Sequence, residues 1–498
     1  MAERVEDMLT RIPAQLSPEQ MITIIRNGLS KTQAPKNILI VGAGMAGLVA
    51  ASLLKEAGHN VAILEGNDRV GGRVFTLRTP FSEGVYFEAG AMRIPEMHDL
   101  VIEYINKFGL TVNQFINRTP EDIIYANGIK TRAKIYERQP DILNYPVASS
   151  EKGKTAEQLL NMAVSPIIDF INIDPVRNWP IVEKQLDQYS VYTFLKFYPY
   201  RPKPAFSEGA IEMISVLLTL EGIMEKSFLD ILRDIMLFKP ETRFYEITGG
   251  NDLLPRAFLP QLRADIIFHQ RVTKIIQHSD SVTLNFFDTR SSKEFSMTGD
   301  LAIMTIPFTA MHFVEVEPRD SFSHNKWRAI RELHYMTATK IGIEFTSRFW
   351  EREGLFGGKT VTDLPIRSTY YPSHGLGTPG RAALLASYTW EDDALPWDSI
   401  TQEERIYFAL KNLATIHGDQ IYREFVTGTS YSWAQDPFAC GALALFKPGQ
   451  RAALHPYTAT PEGRVHFAGE HTTLTHGWIQ GAIESGIRVA FAVNDLPK

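Results

Sequence analysis

One stretch constrains this chain more than any other: NILIVGAGMAGLVAASLLKEAGHNVAILEGNDRVGGRVFT, from Asn37 to Thr76. Asn37 to Val41 reads as a short apolar strand, and Gly42, Gly44 and Gly47 follow in G-x-G-x-x-G spacing. An Ala/Leu-rich helix then runs to about Ala57, and a second apolar strand, Val61 to Leu64, ends at Glu65. The glycines have separate jobs in binding a dinucleotide. Gly42 permits the tight turn, Gly44 lets the backbone approach a pyrophosphate, and Gly47 lets helix and strand pack closely. The helix N-terminus offers free N–H groups and a partial positive charge to phosphates. Glu65, at the tip of the second strand, is placed to accept hydrogen bonds from ribose hydroxyls. Ile38 to Leu54 is uncharged, but its glycines and the charges from Lys55 onward leave it short of the about 20 apolar residues of a membrane span. Spacing alone does not separate FAD from NAD.

A chain of 498 residues is too long for one core and implies two or three domains. Its 44% apolar and 22% charged residues are those of a soluble globular protein. A net charge of −6 without basic runs gives no footprint for nucleic acid or an anionic membrane. Cys440 is the only cysteine, which excludes an intrachain disulfide and a cysteine-based zinc site. The opening MAERVEDMLTRIP carries acids and no apolar h-region, so a cytoplasmic location is expected.

Ser17-Pro18-Glu19-Gln20 is a helix start, and Met21, Ile24, Ile25 and Leu29 follow at helical spacing. After Thr76 the run E-A-G-A-M-R-I-P, Glu88 to Pro95, delivers a single arginine, Arg93, from a small-residue turn, and a helical segment covers about Met97 to Phe108. Arg132 to Leu237 is dominated by helical patterns, with a capping box at Thr155 to Gln158. Gly249-Gly250 precedes another helical run, and Leu301 to Pro307 reads as a buried parallel strand ended by proline. From about His324 to Ser430 the pattern becomes β-rich, with strands expected at Ala338–Phe345, Arg367–Tyr371 and Ala382–Trp390. The first of these carries Lys340, which is costly if buried without a partner or water. The C-terminal run V-H-F-A-G-E-H-T-T is followed by H-G-W-I-Q-G-A-I-E-S-G, a strand, a turn at Gly469-Glu470, and a helix from Gly477, Trp478 and Ile479 to about Val493. His466, His471 and His476 are evenly spaced, but on a strand and loop they face different ways, so no metal site is expected.

Four ordered motifs, Gly42–Gly47 with Glu65, Gly71-Gly72-Arg73-x-x-Thr76, Ala89–Pro95 and Gly469–Gly486, resemble the flavin amine oxidase superfamily across nearly the whole chain. Within it the run at Arg93 and the element Tyr370-Tyr371-Pro372-Ser373 are similar to those of bacterial-type L-amino-acid oxidases. The resemblance implies an α/β fold: a Rossmann-like FAD-binding domain (36–75, 244–325 and 455–498), discontinuous in sequence, and a β-rich substrate-binding domain (76–131 and 326–454). A helical subdomain (132–243) is inserted, and an N-terminal helical extension (1–35) precedes them. It implies that FAD is held by Gly42, Gly44, Met45, Ala46, Gly47, Glu65, Gly66, Gly72, Arg73, Gly90, Ala91, Met92, Arg93, Val272, Gly469, Glu470, Gly477, Trp478 and Ile479. Some monoamine oxidases attach FAD through a cysteine near Cys440, but alignment through Phe446 puts Gly441 at that position, so non-covalent FAD is expected.

The same resemblance implies that Arg93 and Tyr371 clamp a substrate carboxylate, that Lys340 holds a water near flavin N5, and that Trp478 and Trp433 flank the substrate, with Gly477 beside them. A guanidinium fork matches a carboxylate bidentately, which supports the assignment of Arg93. The implied reaction is oxidative deamination of an L-amino acid: hydride passes to FAD, the imino acid hydrolyses to a 2-oxo acid and ammonia, and O₂ reoxidises the flavin to give H₂O₂. A homo-oligomer, dimer or higher, is the family habit. One departure stands out. A histidine of the inserted helices in venom-type relatives is matched here by Asp234, which leaves the acceptor of the amine's proton unassigned. An amide-forming L-amino-acid monooxygenase, a mono- or polyamine oxidase lacking the clamp, and a flavoprotein-fold binding protein without turnover are the competing readings.

Overall fold

The computed structural model describes residues 16–197 and 205–496. The expectation drawn from residues 1–13 lies outside them. The nucleotide-binding half is built on a five-stranded parallel sheet in the order Ile266–Ile267, Asn60–Leu64, Asn37–Val41, Leu301–Met304 and Val465–Phe467. The chain thus leaves this sheet and returns to it from two distant segments. The runs LAIM and VHF are buried at every position, as a sheet covered on both faces requires. The strand expected to reach Pro307 stops at Met304. There Thr305 takes over, its hydroxyl donating to Val41 O at 2.8 Å, and Pro307 caps the short helix Phe308–Met311.

Helix Met45–Ala57 follows the first strand with Gly44 as its N-cap and left-handed Gly58, φ 104°, at its end. Helix Ile479–Asn494 crosses it so closely that a Cβ on Gly486 would lie 2.7 Å from Ala46 O. Helix Pro18–Asn27 starts in a complete Ser17/Gln20 capping box and buries Met21, Ile24 and Ile25 against this body.

A seven-stranded sheet forms the other half, in the order Phe425–Ser432, Ala338–Phe345, Ala382–Trp390, Ser368–Tyr370, Lys359–Thr362, Ile123–Ala126 and Ile129–Arg132. The segment expected to be β-rich also contains the long helix Gln402–His417, announced by a capping box at Thr401 and Glu404. Strand Ser368–Tyr370 is shorter than the expected Arg367–Tyr371, because Arg367 turns to φ 53°. Helices between Ala156 and Leu237 share one apolar core with Tyr136 and Tyr145 and form a layer over the end of the sheet.

Candidate active site

A cavity of about 350 Å³ runs between the parallel sheet, the seven-stranded sheet and the helical layer. One end is lined by the glycine turn. Gly42 sits at φ 105° under the Thr305 side chain, and a Cβ on Gly47 would meet Gly42 O at 2.0 Å, so helix and turn touch there without room for a methyl group. Gly47 is therefore a packing residue and does not reach the cavity wall. At Gly44 a Cβ would find nothing within 4 Å. Helix Met45–Ala57 opens onto this space with no side-chain cap, so its first amides are free to meet an anion. Helix Ile479–Asn494 likewise opens onto the cavity uncapped behind Trp478.

Glu65 lines the same end. Its two oxygens accept from Ala43 N at 2.7 Å and Asn67 N at 2.8 Å, and burial pushes its carboxyl above the ordinary range despite those bonds. Met45, Ala46, Gly66, Gly72 and Val272 share the wall. Farther in, Arg73 donates to Glu470 Oε1 at 2.7 Å and to Ala442 O at 3.1 Å. Glu470 also accepts from Ala444 N and Gly477 N. Burial pushes the Glu470 carboxyl up, but Arg73, His476, His471 and the Gly477 amide together outweigh it and leave the group below its ordinary value. Gly90, Ala91, Met92, Gly469, Gly477 and Ile479 complete the middle of the cavity. The open glycine cradle, two uncapped helix N-termini and an arginine suit a diphosphate-bearing cofactor such as FAD. Cys440 and Gly441 stay off the cavity wall, and the Cys440 thiol points to Pro437 O at 3.6 Å.

Arg93 stands at the far end. Its Nη1 donates to Asn117 Oδ1 at 2.5 Å and to the Tyr370 hydroxyl at 3.3 Å, and among the described residues no carboxylate lies within ion-pair distance of it. Two neutral oxygens thus hold a guanidinium whose charge is left for the cavity.

Tyr371 is not the partner of Arg93. It is 1% exposed, and its hydroxyl is hydrogen-bonded to Thr360 Oγ1 at 2.7 Å and His417 Nε2 at 2.8 Å, away from the cavity. Consecutive strand residues point to opposite faces, so the one-residue difference between Tyr370 and Tyr371 decides which side each serves. The tyrosine that lines the cavity is Tyr388, missed in the sequence. It pairs across the sheet with Lys340 and shares its face with Trp390. The signal for it was the Tyr388-Thr389-Trp390 alternation at the end of strand Ala382–Trp390.

Lys340 lines the cavity beneath Tyr388, with Nζ 4.5 Å from that ring, and donates to Gly90 O at 2.6 Å and Glu88 O at 3.2 Å. Burial lowers its ammonium to about 7 and raises the nearby Glu88 carboxyl to about 8, each toward its neutral form. Trp433 is anchored by its indole N–H on Ala89 O at 2.9 Å. Trp478 meets His98 edge-on at 5.0 Å and Phe238 at 5.1 Å. No group of three or more His, Cys, Asp or Glu among the described residues is arranged to hold a metal ion. No described helix is long and apolar enough to cross a membrane.

A large cavity, a dinucleotide turn and a two-sheet frame define a dinucleotide-binding protein. The chain belongs to the family of flavin-containing amine oxidoreductases, whose model matches residues 45–494. It is 57% identical over 482 residues to the YobN protein of Bacillus subtilis (strain 168), covering 97% of this chain and 99% of that one. It is 38% identical to an L-amino-acid oxidase of Siganus canaliculatus, covering 99% of this chain and 92% of the relative. Among solved structures, cyclohexylamine oxidase from Brevibacterium oxydans IH-35A superposes with a TM-score of 0.74 at 20% identity, covering 93% of this chain and 99% of that one. At that identity the likeness is one of fold.

Proposed function

We propose that this protein is an L-amino-acid oxidase with non-covalent FAD, converting an L-amino acid, O₂ and water to a 2-oxo acid, ammonia and H₂O₂. The observation that carries the reading is Arg93: an arginine on the cavity wall, held by neutral oxygens and, among the described residues, without a carboxylate within ion-pair distance. The name of the Siganus canaliculatus relative, matched along nearly its full length, points the same way.

Arg93 takes the α-carboxylate as a charge-assisted pair, and the Tyr388 hydroxyl supplies a further donor from the neighbouring sheet. Burial raises the Tyr388 phenol, so it remains a neutral donor at pH 7. Fixing the carboxylate fixes the α-C–H, which removes orientational freedom from the reacting centre. FAD, which the glycine turn, Arg73 and the two uncapped helix N-termini would hold, would supply the hydride acceptor and the two-electron link to O₂. Trp433 and Trp478 restrict the substrate and exclude water around the α-carbon. Ile173, Val176 and Phe197 leave apolar side chains 80%, 88% and 62% exposed on the helical layer, surface of the kind a homo-oligomer covers. Sedimentation of the pure protein tests that part.

The activity is tested by oxidising matched L-amino acids, D-amino acids and simple amines with the yellow protein, following H₂O₂ and identifying the organic product. A 2-oxo acid from L-substrates alone is expected. An amide product, or turnover of amines only, defeats the reading. Arg93→Ala should raise the amino-acid KM by roughly two to three orders of magnitude, since removing one partner of a buried charge pair costs about 3–5 kcal/mol. Its flavin absorbance should persist, and an unchanged KM removes Arg93 from the clamp.

A further inference from the structure

Helix Phe228–Leu237 buries Phe228, Leu229 and Leu232 in the helical layer and turns Ile231 and Asp234, three residues apart, onto the cavity. Four carboxylates line this cavity: Glu65, Asp234, Asp436 and Glu470. Three of them are engaged. Glu65 accepts from Ala43 and Asn67, Asp436 from Tyr431, Phe438 and Ala439, and Glu470 from Arg73, Ala444 and Gly477. Asp234 alone has a side chain without hydrogen bond or ion pair to any described residue; its surface opens onto the cavity, while protein surrounds it on every side. Its neighbour Asp230 faces elsewhere, accepting from Phe446 N at 3.0 Å and lying 3.7 Å from His476 Nδ1.

Asp234 and Arg93 thus present opposite charges to one end of the cavity. They feel each other electrostatically but stand beyond the 4.0 Å of an ion pair. The helical-layer side of that end is otherwise apolar, with Ile223, Ile231 and Leu445 on the wall. A solute matching this pattern has a carboxylate, an apolar stem and a cation. We propose that Asp234 selects amino acids with basic side chains, pairing with the terminal guanidinium or ammonium of a substrate whose α-carboxylate is held by Arg93. An uncompensated carboxylate in such a place is costly, and an arriving cation relieves that cost.

The proposal rests on the oxidase reading and adds a pH signature to it. Burial, and then the like charge of Asp230, push the Asp234 carboxyl up to about 7, against the pull of Arg233 on its own helix and of Arg93 and His476 across the cavity. Below that value it is largely protonated in the free enzyme; above it the charge is present. Preference for basic over neutral side chains should therefore grow as pH rises through the neutral range.

The test compares L-arginine with L-citrulline, which is nearly isosteric and uncharged at the side chain, on the flavin-loaded enzyme at pH 8. The wild-type kcat/KM should favour arginine by about tenfold or more, carried by KM, as befits a desolvated charge pair. Asp234→Asn should bring the ratio to within about threefold of one while changing citrulline kinetics, flavin content and melting temperature little. Equal turnover of the two substrates by the wild type overturns the proposal, as does an equal loss for both in Asp234→Asn, which would put the carboxylate at the α-ammonium. An enzyme that oxidises no amino acid fails the oxidase reading and this one with it. One that oxidises arginine and citrulline alike fails only this one.

Discussion

Tyr371 and Tyr388 belong to the same half of the molecule, and their surroundings decide what each does: Tyr371 is buried, Tyr388 partly open to the cavity. Tyr371 closes a chain of hydrogen bonds through His417 to Glu353 Oε2, the last link at 2.9 Å. Tyr388 lies on the cavity wall over Lys340. Tyr388→Phe should raise the amino-acid KM by about tenfold or more, the worth of a hydrogen bond to a charged group at roughly 1.5–3 kcal/mol, with flavin content unchanged. Tyr371→Phe should leave KM alone and lower stability by about 1–3 kcal/mol, because it strands the buried partners Thr360 and His417. Steady-state kinetics and urea unfolding on the two variants separate these roles; a KM effect in Tyr371→Phe would return that residue to the clamp. The Tyr-Tyr-Pro-Ser element marked the right strand, but period-two alternation gives no hint of which member of a tyrosine pair looks inward. That choice is fixed by pairing with Ala382–Trp390, whose register shifts between Ser368 and Tyr370. Arg93 was legible because a small-residue turn leaves few other side chains to reach the cavity.

At the scale of elements, the glycine turn divides into two physical functions that one motif conceals. Gly47 is needed for packing: a methyl group there collides with the backbone oxygen of Gly42 at 2.0 Å. Gly44 is needed for ligand space: a methyl group there meets nothing within 4 Å, and its φ of −73° suits any L residue. Gly47→Ala should therefore cost stability by about 1–3 kcal/mol or more, as overpacking does, whether or not FAD is present. Gly44→Ala should keep the apoprotein's unfolding midpoint while weakening FAD, measured by titrating flavin fluorescence into apoprotein. If Gly44→Ala binds FAD as the wild type does, the cradle is not where the diphosphate lies. The spacing of these glycines and the flanking apolar runs made strand, turn and helix readable residue by residue. Helix Gln402–His417 was overlooked for a different reason: the apolar strands around it dominate the composition of the segment, although its Thr401 and Glu404 capping box is plain once sought.

At the scale of the molecule, burial has left two opposed sets of titrating groups, and their balance sets the pH range in which the fold holds. His98 and His466 are pushed down to about 4 and His471 to about 3, in each case chiefly by burial. Their folded values lie below the ordinary 6.5, so the stability they carry is fully present above that pH and is lost as pH falls toward the folded values. Glu88 works in the other sense. Its carboxyl, raised to about 8 by burial, favours the fold below the ordinary carboxylate range and loses that contribution as pH rises through 8. The two sets oppose each other between these limits, so the wild-type curve alone is a poor reporter, and single substitutions expose the slopes. His466 is the cleanest probe, 3% exposed in the central parallel sheet with Nε2 unpartnered. His466→Gln no longer titrates, so whatever stability it loses at pH 7 should shrink by about 2 kcal/mol at pH 5, at about 1.4 kcal/mol per unit below 6.5. Glu88→Gln should gain relative to wild type as pH rises from 5 to 8. Urea midpoints of the three proteins at these pH values decide the matter: parallel curves for wild type and His466→Gln would mean that this histidine reaches solvent, and that the central sheet is less dry than its packing indicates.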